Sequence, residues 1–273
     1  MPGGFPILES ICAGASVAAD LANTRGIAIT PGSHAYGSWV QLVPSTAQDT
    51  SWMVVQIHTS SPDGYNNGLR IGVGSSGAEK IIITDLQLYT PGVPYVGSTY
   101  ALPLSISAGT KISAAAASSF SGAPTLPIYV DLQLFDGGFL GIECAGVDGL
   151  GAGLGGSVGT QLTSGAANTK GNYTTIVPST ARDYIGLGWV AGGAWQDLSV
   201  TQDRYLYDIA IGAAGAEQNL IADYFTASIA ATISAPPFIP LPVQIPAGSR
   251  LSARSSAVGA AKSSGIVLYG LYQ

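Results

Sequence analysis

Glu79 and Asp85 have the chemistry for general acid–base catalysis, which needs two carboxylates converging on one cleft. Both recur later in the chain, as Glu217 and Asp223. Recurrence favours a scaffold role, with the carboxylates bonding the backbone of turns, over a doubled active site. Asn23 and Asn168, and Asp49 and Asp183, recur in the same way and read as Asx-type turns. His34 and His58 stand alone, with no His, Cys or carboxylate at ligand spacing, so neither predicts a metal. The oxygen-rich run Asp63-Gly64-Tyr65-Asn66-Asn67-Gly68 reads first as a hairpin turn and second as a surface calcium site.

Two further patterns match catalytic or nucleotide-binding signatures and fail on context. Gly155-Gly156-Ser157-Val158-Gly159 has the form of a nucleophile elbow, which requires a strand before it, a helix after it and a later His. Both histidines come earlier, and the surroundings are Gly-rich. Gly72-Val73-Gly74-Ser75-Ser76-Gly77 and Gly151-Ala152-Gly153-Leu154-Gly155-Gly156 fit G-x-G-x-x-G, but the first leads into the strand-like Lys80-Ile81-Ile82-Ile83 where a helix is needed. Both read as turns. Trp39, Tyr65, Tyr95, Trp195 and Tyr205 lie in or beside loops and could stack on sugar faces; packing is the simpler reading. Cys12 and Cys144 sit in matching contexts and look like one buried position seen twice. No catalytic, cofactor-binding or metal-binding residue is assigned, and no cofactor is expected.

The elements that would position these residues are themselves duplicated. Leu102-Pro103-Leu104-Ser105-Ile106-Ser107-Ala108-Gly109-Thr110-Lys111-Ile112 returns as Leu241-Pro242-Val243-Gln244-Ile245-Pro246-Ala247-Gly248-Ser249-Arg250-Leu251. Each copy reads as a strand, an Ala-Gly turn, a basic residue and a second strand. Pro44-Ser45-Thr46-Ala47-Gln48-Asp49 returns as Pro178-Ser179-Thr180-Ala181-Arg182-Asp183, and Gly74-Ser75-Ser76-Gly77-Ala78-Glu79 as Gly212-Ala213-Ala214-Gly215-Ala216-Glu217. Their constant order and drifting offsets predict tandem domains with loop insertions, not a short solenoid repeat. Alternation turns Met53, Val55 and Ile57, and Leu187, Trp189 and Ala191, inward, with Leu69/Ile71/Val73 matched to Tyr207/Ile209/Ile211. Arg70 and Asp208 face out.

About eight strands per copy follow, and the fold class is all-β: two tandem β-sandwich domains of similar fold, jelly-roll-like, with an immunoglobulin-like sandwich as the fallback. The expected boundaries are 1–139 for the first sandwich with an N-terminal arm, 140–159 for a Gly-rich linker and 160–273 for the second sandwich.

Composition agrees with this class. Charged residues make up 10% of the 273, while 37 are Gly and 16 are Pro, too little charge to build amphipathic helices and much to build turns. A net charge of −6 with scattered basic residues argues against nucleic-acid binding. No apolar run is long enough for a transmembrane helix, and Met1 to Pro6 lacks a signal-peptide pattern, so neither a membrane nor secretion is expected.

The Gly212-Ala213-Ala214-Gly215-Ala216-Glu217 segment with its first copy, and the turn Pro246-Ala247-Gly248-Ser249-Arg250-Leu251-Ser252-Ala253-Arg254, resemble those of virion structural proteins of tailed bacteriophages. That group includes capsid decoration (cement) proteins, head fibres and tail proteins. The resemblance implies a non-enzymatic virion component, assembled in the host cytoplasm as a symmetric homo-oligomer, often a trimer, with partners such as the major capsid protein. The alternative is a tail or fibre module that binds host surface glycan; an enzyme acting on glycans is the third reading. The Pro-rich loops 90–95 and 235–240, with an exposed Phe238 and Ile239, and the arm 1–8 are the expected contact surfaces.

Overall fold

In the first half, the hydroxyl of Thr46 donates to the Ser107 carbonyl (2.7 Å) and accepts the Thr110 N–H (3.0 Å), while Asp49 accepts the Ala108 N–H (2.8 Å). In the second half, Thr180 donates to the Pro246 carbonyl (2.9 Å) and accepts the Ser249 N–H (3.0 Å), and Asp183 accepts the Ala247 N–H (2.7 Å). The two duplicated motifs therefore clamp one another. The turn glycines, Gly109 (φ 78°) and Gly248 (φ 80°), take the left-handed conformation that side chains disfavour. This computed structural model describes residues 11–13, 26–59, 66–89, 96–119, 127–135, 142–151, 159–193, 203–228, 238 and 240–273.

The clamps fix where the strands begin. The first half runs β1 (Ile11–Ala13), β2 (Ile27–Ile29), β3 (Gly32–Ser33), β4 (Val40–Val43) and β5 (Trp52–Thr59). It continues with β6 (Asn66–Val73), β7 (Lys80–Tyr89), β8 (Val96–Leu102), β9 (Ile112–Ser118) and β10 (Ile128–Phe135). The second half runs β11 (Gly146–Leu150), β12 (Thr160–Thr163), β13 (Thr174–Val177), β14 (Tyr184–Gly193) and β15 (Asp203–Ile211). It closes with β16 (Gln218–Ser228), β17 (Leu241–Ile245), β18 (Leu251–Ala257) and β19 (Ser263–Tyr272).

In the first half, the order β1-β10-β5-β8 faces β4-β9-β6-β7; in the second, β11-β19-β14-β17 faces β13-β18-β15-β16. Each pair of orders is that of a jelly roll, which decides against the immunoglobulin-like fallback. No helix among the described residues is long and apolar enough to cross a membrane.

Alternation along the strands fills the two cores. Met53, Val55, Ile57, Leu69 and Ile71 are buried in the first, and Leu187, Tyr207, Ile209, Leu251 and Leu268 in the second. β19 is buried on both faces: Ile266 and Leu268 serve its own core, while Val267, Tyr269 and Leu271 join the first.

Between the halves lies a strand where composition suggested a linker. β11 pairs antiparallel with β19 and parallel with β7, opposite Ile83, so one sheet of ten strands runs through both jelly rolls. Its glycines answer to crowding: a Cβ on Gly146 would lie 2.8 Å from the Ile82 carbonyl, and one on Gly149 2.9 Å from the Asp85 Cβ. Asp148 accepts the Tyr184 hydroxyl (2.9 Å) and pairs with Arg182 (3.2 Å), tying the strand to its own half.

Phe238 also differs from expectation. It is buried, packed against Tyr100 of the first half (centroids 5.6 Å) and Tyr269 of the second (5.2 Å). An apolar ring flanked by prolines looks like a surface anchor in sequence, but here it plugs the joint. The rest of that loop up to residue 237, Ile239, the loop 90–95 and the arm 1–8 lie outside the described residues.

The two cysteines are not one position seen twice. Cys12 pairs with Gln133 inside the β1–β10 ladder, whereas Cys144 precedes β11 and bridges Leu104. Cys144 is buried, and its thiol, pushed up to about 12 by that burial against a weaker backbone bond at Gly146, behaves as the apolar filler expected of it.

Gly188 is the position that admits the Phe238 ring, since a Cβ there would lie 2.0 Å from a ring carbon. Gly188→Ala is expected to destabilise the protein by about 1–3 kcal/mol through overpacking. In chemical denaturation the double variant Gly188→Ala/Phe238→Leu should lose less than the sum of the two single changes.

Candidate functional site

The two strongest acid–base candidates, Glu79 and Asp85, have separate tasks, and so do their repeats. Glu79 accepts the Gly77 N–H (2.8 Å) and pairs with Lys111 (3.1 Å). Glu217 accepts the Gly215 N–H (2.9 Å) and pairs with Arg250 (3.0 Å). Burial would raise the Glu79 carboxyl, but backbone N–H bonds and Lys111 outweigh it and hold it below the usual range. At Glu217 the bond from its own amide leads, and with Gly215 and Arg250 it overcomes desolvation to lower that carboxyl too. Each glutamate clips a tight turn to the base of the next strand.

Asp85 and Asp223 occupy β-bulges. The register of β6 on β7 skips between Leu69 and Ile71, and that of β15 on β16 between Tyr207 and Ile209, leaving two residues opposite one. The aspartates take up the kink in left-handed conformation, at φ 52° and 55°. A short polar side chain tolerates that conformation better than most.

Around each bulge stands a cluster of charge and aromatic rings, wired differently in the two halves. In the first, the Tyr36 hydroxyl donates to Asp85, and Arg70 lies over the rings of Tyr36 (4.3 Å) and Trp39 (4.8 Å). Burial, reinforced by the Asp85 charge, pushes the Tyr36 hydroxyl well above its usual value. In the second half Asp208 takes the place of Arg70, and the arginine moves to the neighbouring strand as Arg254. Asp208 has no exposed surface. It accepts bonds from Lys170, from Arg254 (2.8 Å) and from the Asp223 amide (3.0 Å), while Lys170 also reaches Asp223 (2.6 Å).

Asp208 was expected to face out. Its strand does present it to the outer face, but the two cations and the bulge backbone close over it. Burial would raise its carboxyl; the bonds from Lys170, the Asp223 amide and Arg254 outweigh that and hold it below the usual range. Such a carboxylate is a poor general base, which needs a pKa near the working pH.

The other candidates disperse. Trp39 is committed to Arg70. Tyr205 is buried in the second core, not at a loop surface. His58 stacks on Tyr129 (5.3 Å) within its sheet, and the His34 amide donates to the Ser118 carbonyl (2.8 Å). Asn168 takes a left-handed turn conformation (φ 58°), and its amide N–H donates to the Ala257 carbonyl (2.8 Å). Gly72 and Gly74 lie at the end of β6 and its turn, leading into a strand. Asn23, Tyr65, Tyr95, Trp195 and the Ser157 elbow lie outside the described residues, as does part of the run 63–68. Among the described residues no group of three His, Cys, Asp or Glu is placed to hold a metal ion.

What sequence reasoning missed lies at the β16 edge. Phe225 is 58% exposed and Leu241 is 40% exposed, although their repeats in the first half, Gln87 and Leu102, are 6% and 0% exposed. Beside Phe225 a groove of about 320 Å³ is lined by Asn168, Arg204, Leu206, Ala257 and Val258. The signal was present in the duplication: a polar residue in one copy stands where the other has a large apolar one.

No protein-family model matches the chain, and no curated protein does. Among solved structures it is similar to the STIV MCP, at 7% identity and TM-score 0.38 over 90% of this chain and 94% of that one. It is similar also to the Cowpea mosaic virus top component, at 10% identity and TM-score 0.33 over 95% of each chain. PNGF-II in its C2 space group is matched at 9% identity and TM-score 0.37 over 97% of this chain, which spans 65% of that protein's length. Likeness this slight brings no activity, substrate or partner to this chain.

The buried Asp208 cluster should carry stability that depends on pH. Because the folded carboxyl lies below its unfolded value, its contribution is complete above about pH 4 and is lost as pH falls through the folded value. Asp208→Asn strands Arg254 and leaves Lys170 with Asp223 alone, and is expected to cost about 3 kcal/mol near neutral pH. In thermal melts the gap between variant and wild type should close on acidification below about pH 4.

Proposed function

We propose that this chain is a non-enzymatic structural component of a tailed-bacteriophage virion: a capsid decoration, or cement, protein that stabilises the particle through the apolar edges and loops of its jelly rolls. The observation that carries this reading is the fate of the duplicated carboxylates. Glu79 and Glu217, and Asp49 and Asp183, are each held by backbone amides, cations or both in the scaffold, and the unduplicated Asp208 is held in the same way. Side chains committed in this way serve a rigid framework. A chain poor in charge also has few ion pairs to desolvate when it is covered by neighbours, and exposed Phe225 and Leu241 offer apolar surface for that purpose. Its partners in this reading are its own copies and the major capsid protein.

Glycan recognition by loop aromatics is the weaker alternative. Of its five rings, Tyr205 is in the core and Trp39 is held under Arg70.

A mass-spectrometric census of purified native particles tests the proposal. The expected result is this chain at a copy number that matches capsid symmetry. Its absence from the particles would overturn the proposal. Cleavage of any glycan on a broad panel, abolished by Glu79→Gln, would replace it with an enzymatic role.

A further inference from the structure

Among the described residues there is one finished joint between jelly rolls and, at the two extremities, the unmatched halves of a second. In the finished joint, the second half seats its β11-β19-β14 sheet on the edge that β7 and β8 form in the first. β11 lies along β7, and the Gly149 N–H donates to the Thr84 hydroxyl (2.6 Å). The Tyr269 hydroxyl accepts the Gln87 N–H (3.1 Å), and Phe238 fills the space between Tyr100 and Tyr269. Gln87, at this seat, is buried.

The equivalent edge of the second half is formed by β16 and β17, and nothing covers it among the described residues. β16 ends its sheet. Where the covered edge has Gln87, the open edge has Phe225, so the copy that faces solvent is the more apolar one. The guards on this edge are few: Asp223 at the β16 bulge is paired with Lys170 and Pro242 lies in β17, while the β16 residues from Tyr224 onward carry no charge or proline to stop their N–H and C=O groups from templating a partner. Among the described residues, the opposite extremity has the complementary open edge. β1 pairs with β10 as β11 pairs with β19, and β1 in turn ends its sheet. The outer face beside it carries Trp52 stacked on Phe135 (4.0 Å) and a half-buried Val54.

We infer that a second copy of this chain seats the outer face of its first half, from β1 across β10 and β5, on the β16–β17 edge, repeating between molecules the joint already present within one. The inference rests on the reading that the protein assembles with its own copies, and it specifies how. The contact is head-to-tail: each copy offers a face at one end and an edge at the other, so the assembly closes into a ring or extends as a filament.

Sedimentation velocity on the full chain at micromolar concentration tests this. Wild type should sediment as more than one copy. Phe225→Glu/Leu241→Glu, which spoils the edge, and Val54→Glu/Gln133→Glu, which spoils the face, should each sediment as single folded copies. Mixed together, they should form a complex of two copies and nothing larger, because one retains the face and the other the edge. If a charged variant fails to fold by circular dichroism, Phe225→Ala/Leu241→Ala should still weaken self-association at least about tenfold. An assembly that persists undiminished in the folded edge variants would overturn this joint while leaving self-assembly intact. A mixture that stays single would overturn it as well. A wild type that is single at micromolar concentration would overturn both the joint and the homo-oligomer in the proposed function.

Discussion

Backbone hydrogen bonding across β11 is the constraint on which the rest of the molecule depends. Five residues satisfy the last strand of one jelly roll on one side and lie along β7 of the other on the opposite side. A backbone buried between two jelly rolls has no water to turn to, so its N–H and C=O groups must find partners in protein. Close approach on both sides excludes side chains at Gly146 and Gly149. Glycine there serves proximity. The same residue type that ordinarily marks a hinge is, in β11, the condition for a rigid junction.

Much of the scaffold was legible because it was written twice. The Pro-Ser-Thr-Ala-x-Asp and Ala-Gly motifs gave the register of both halves, and the structure shows why they travel together: Thr46 and Thr180 bond the turns directly. Alternation placed Met53, Val55 and Ile57 in the core correctly. The failures share one physical cause. Phe238, Gly146–Leu150 and Asp208 are all governed by contacts with strands distant in sequence, and local pattern carries no record of those. A ring among prolines looks exposed, a run of glycines looks slack, and a lone aspartate looks solvated, until another element closes on each.

For the site, the sequence supplied the residues but not their division of labour. Glu79 and Asp85 lie near each other along the chain, yet one clips a turn to Lys111 and the other turns a bulge beneath Tyr36. The bulges are conserved between the halves while the charges around them are exchanged, Arg70 in one for Asp208 and Arg254 in the other. Two solutions to the same kink imply that the backbone geometry is the constant and the electrostatics the variable. That is the behaviour of a framework.

The two-faced burial of β19 bears on the order in which the molecule forms. Tyr269 bonds the backbone at Asp85 and Gln87, so the first jelly roll draws part of its packing from a strand made long after its own have left the ribosome. Contacts of such sequence separation are slow to form, since a long loop must close before they return anything. Until then the edge around Tyr100 is open and sticky, and nascent chains on one messenger would be at risk of capturing a neighbour's β19 in place of their own. Synthesis rate and chaperone cover, more than final stability, would then set the yield of correctly paired molecules.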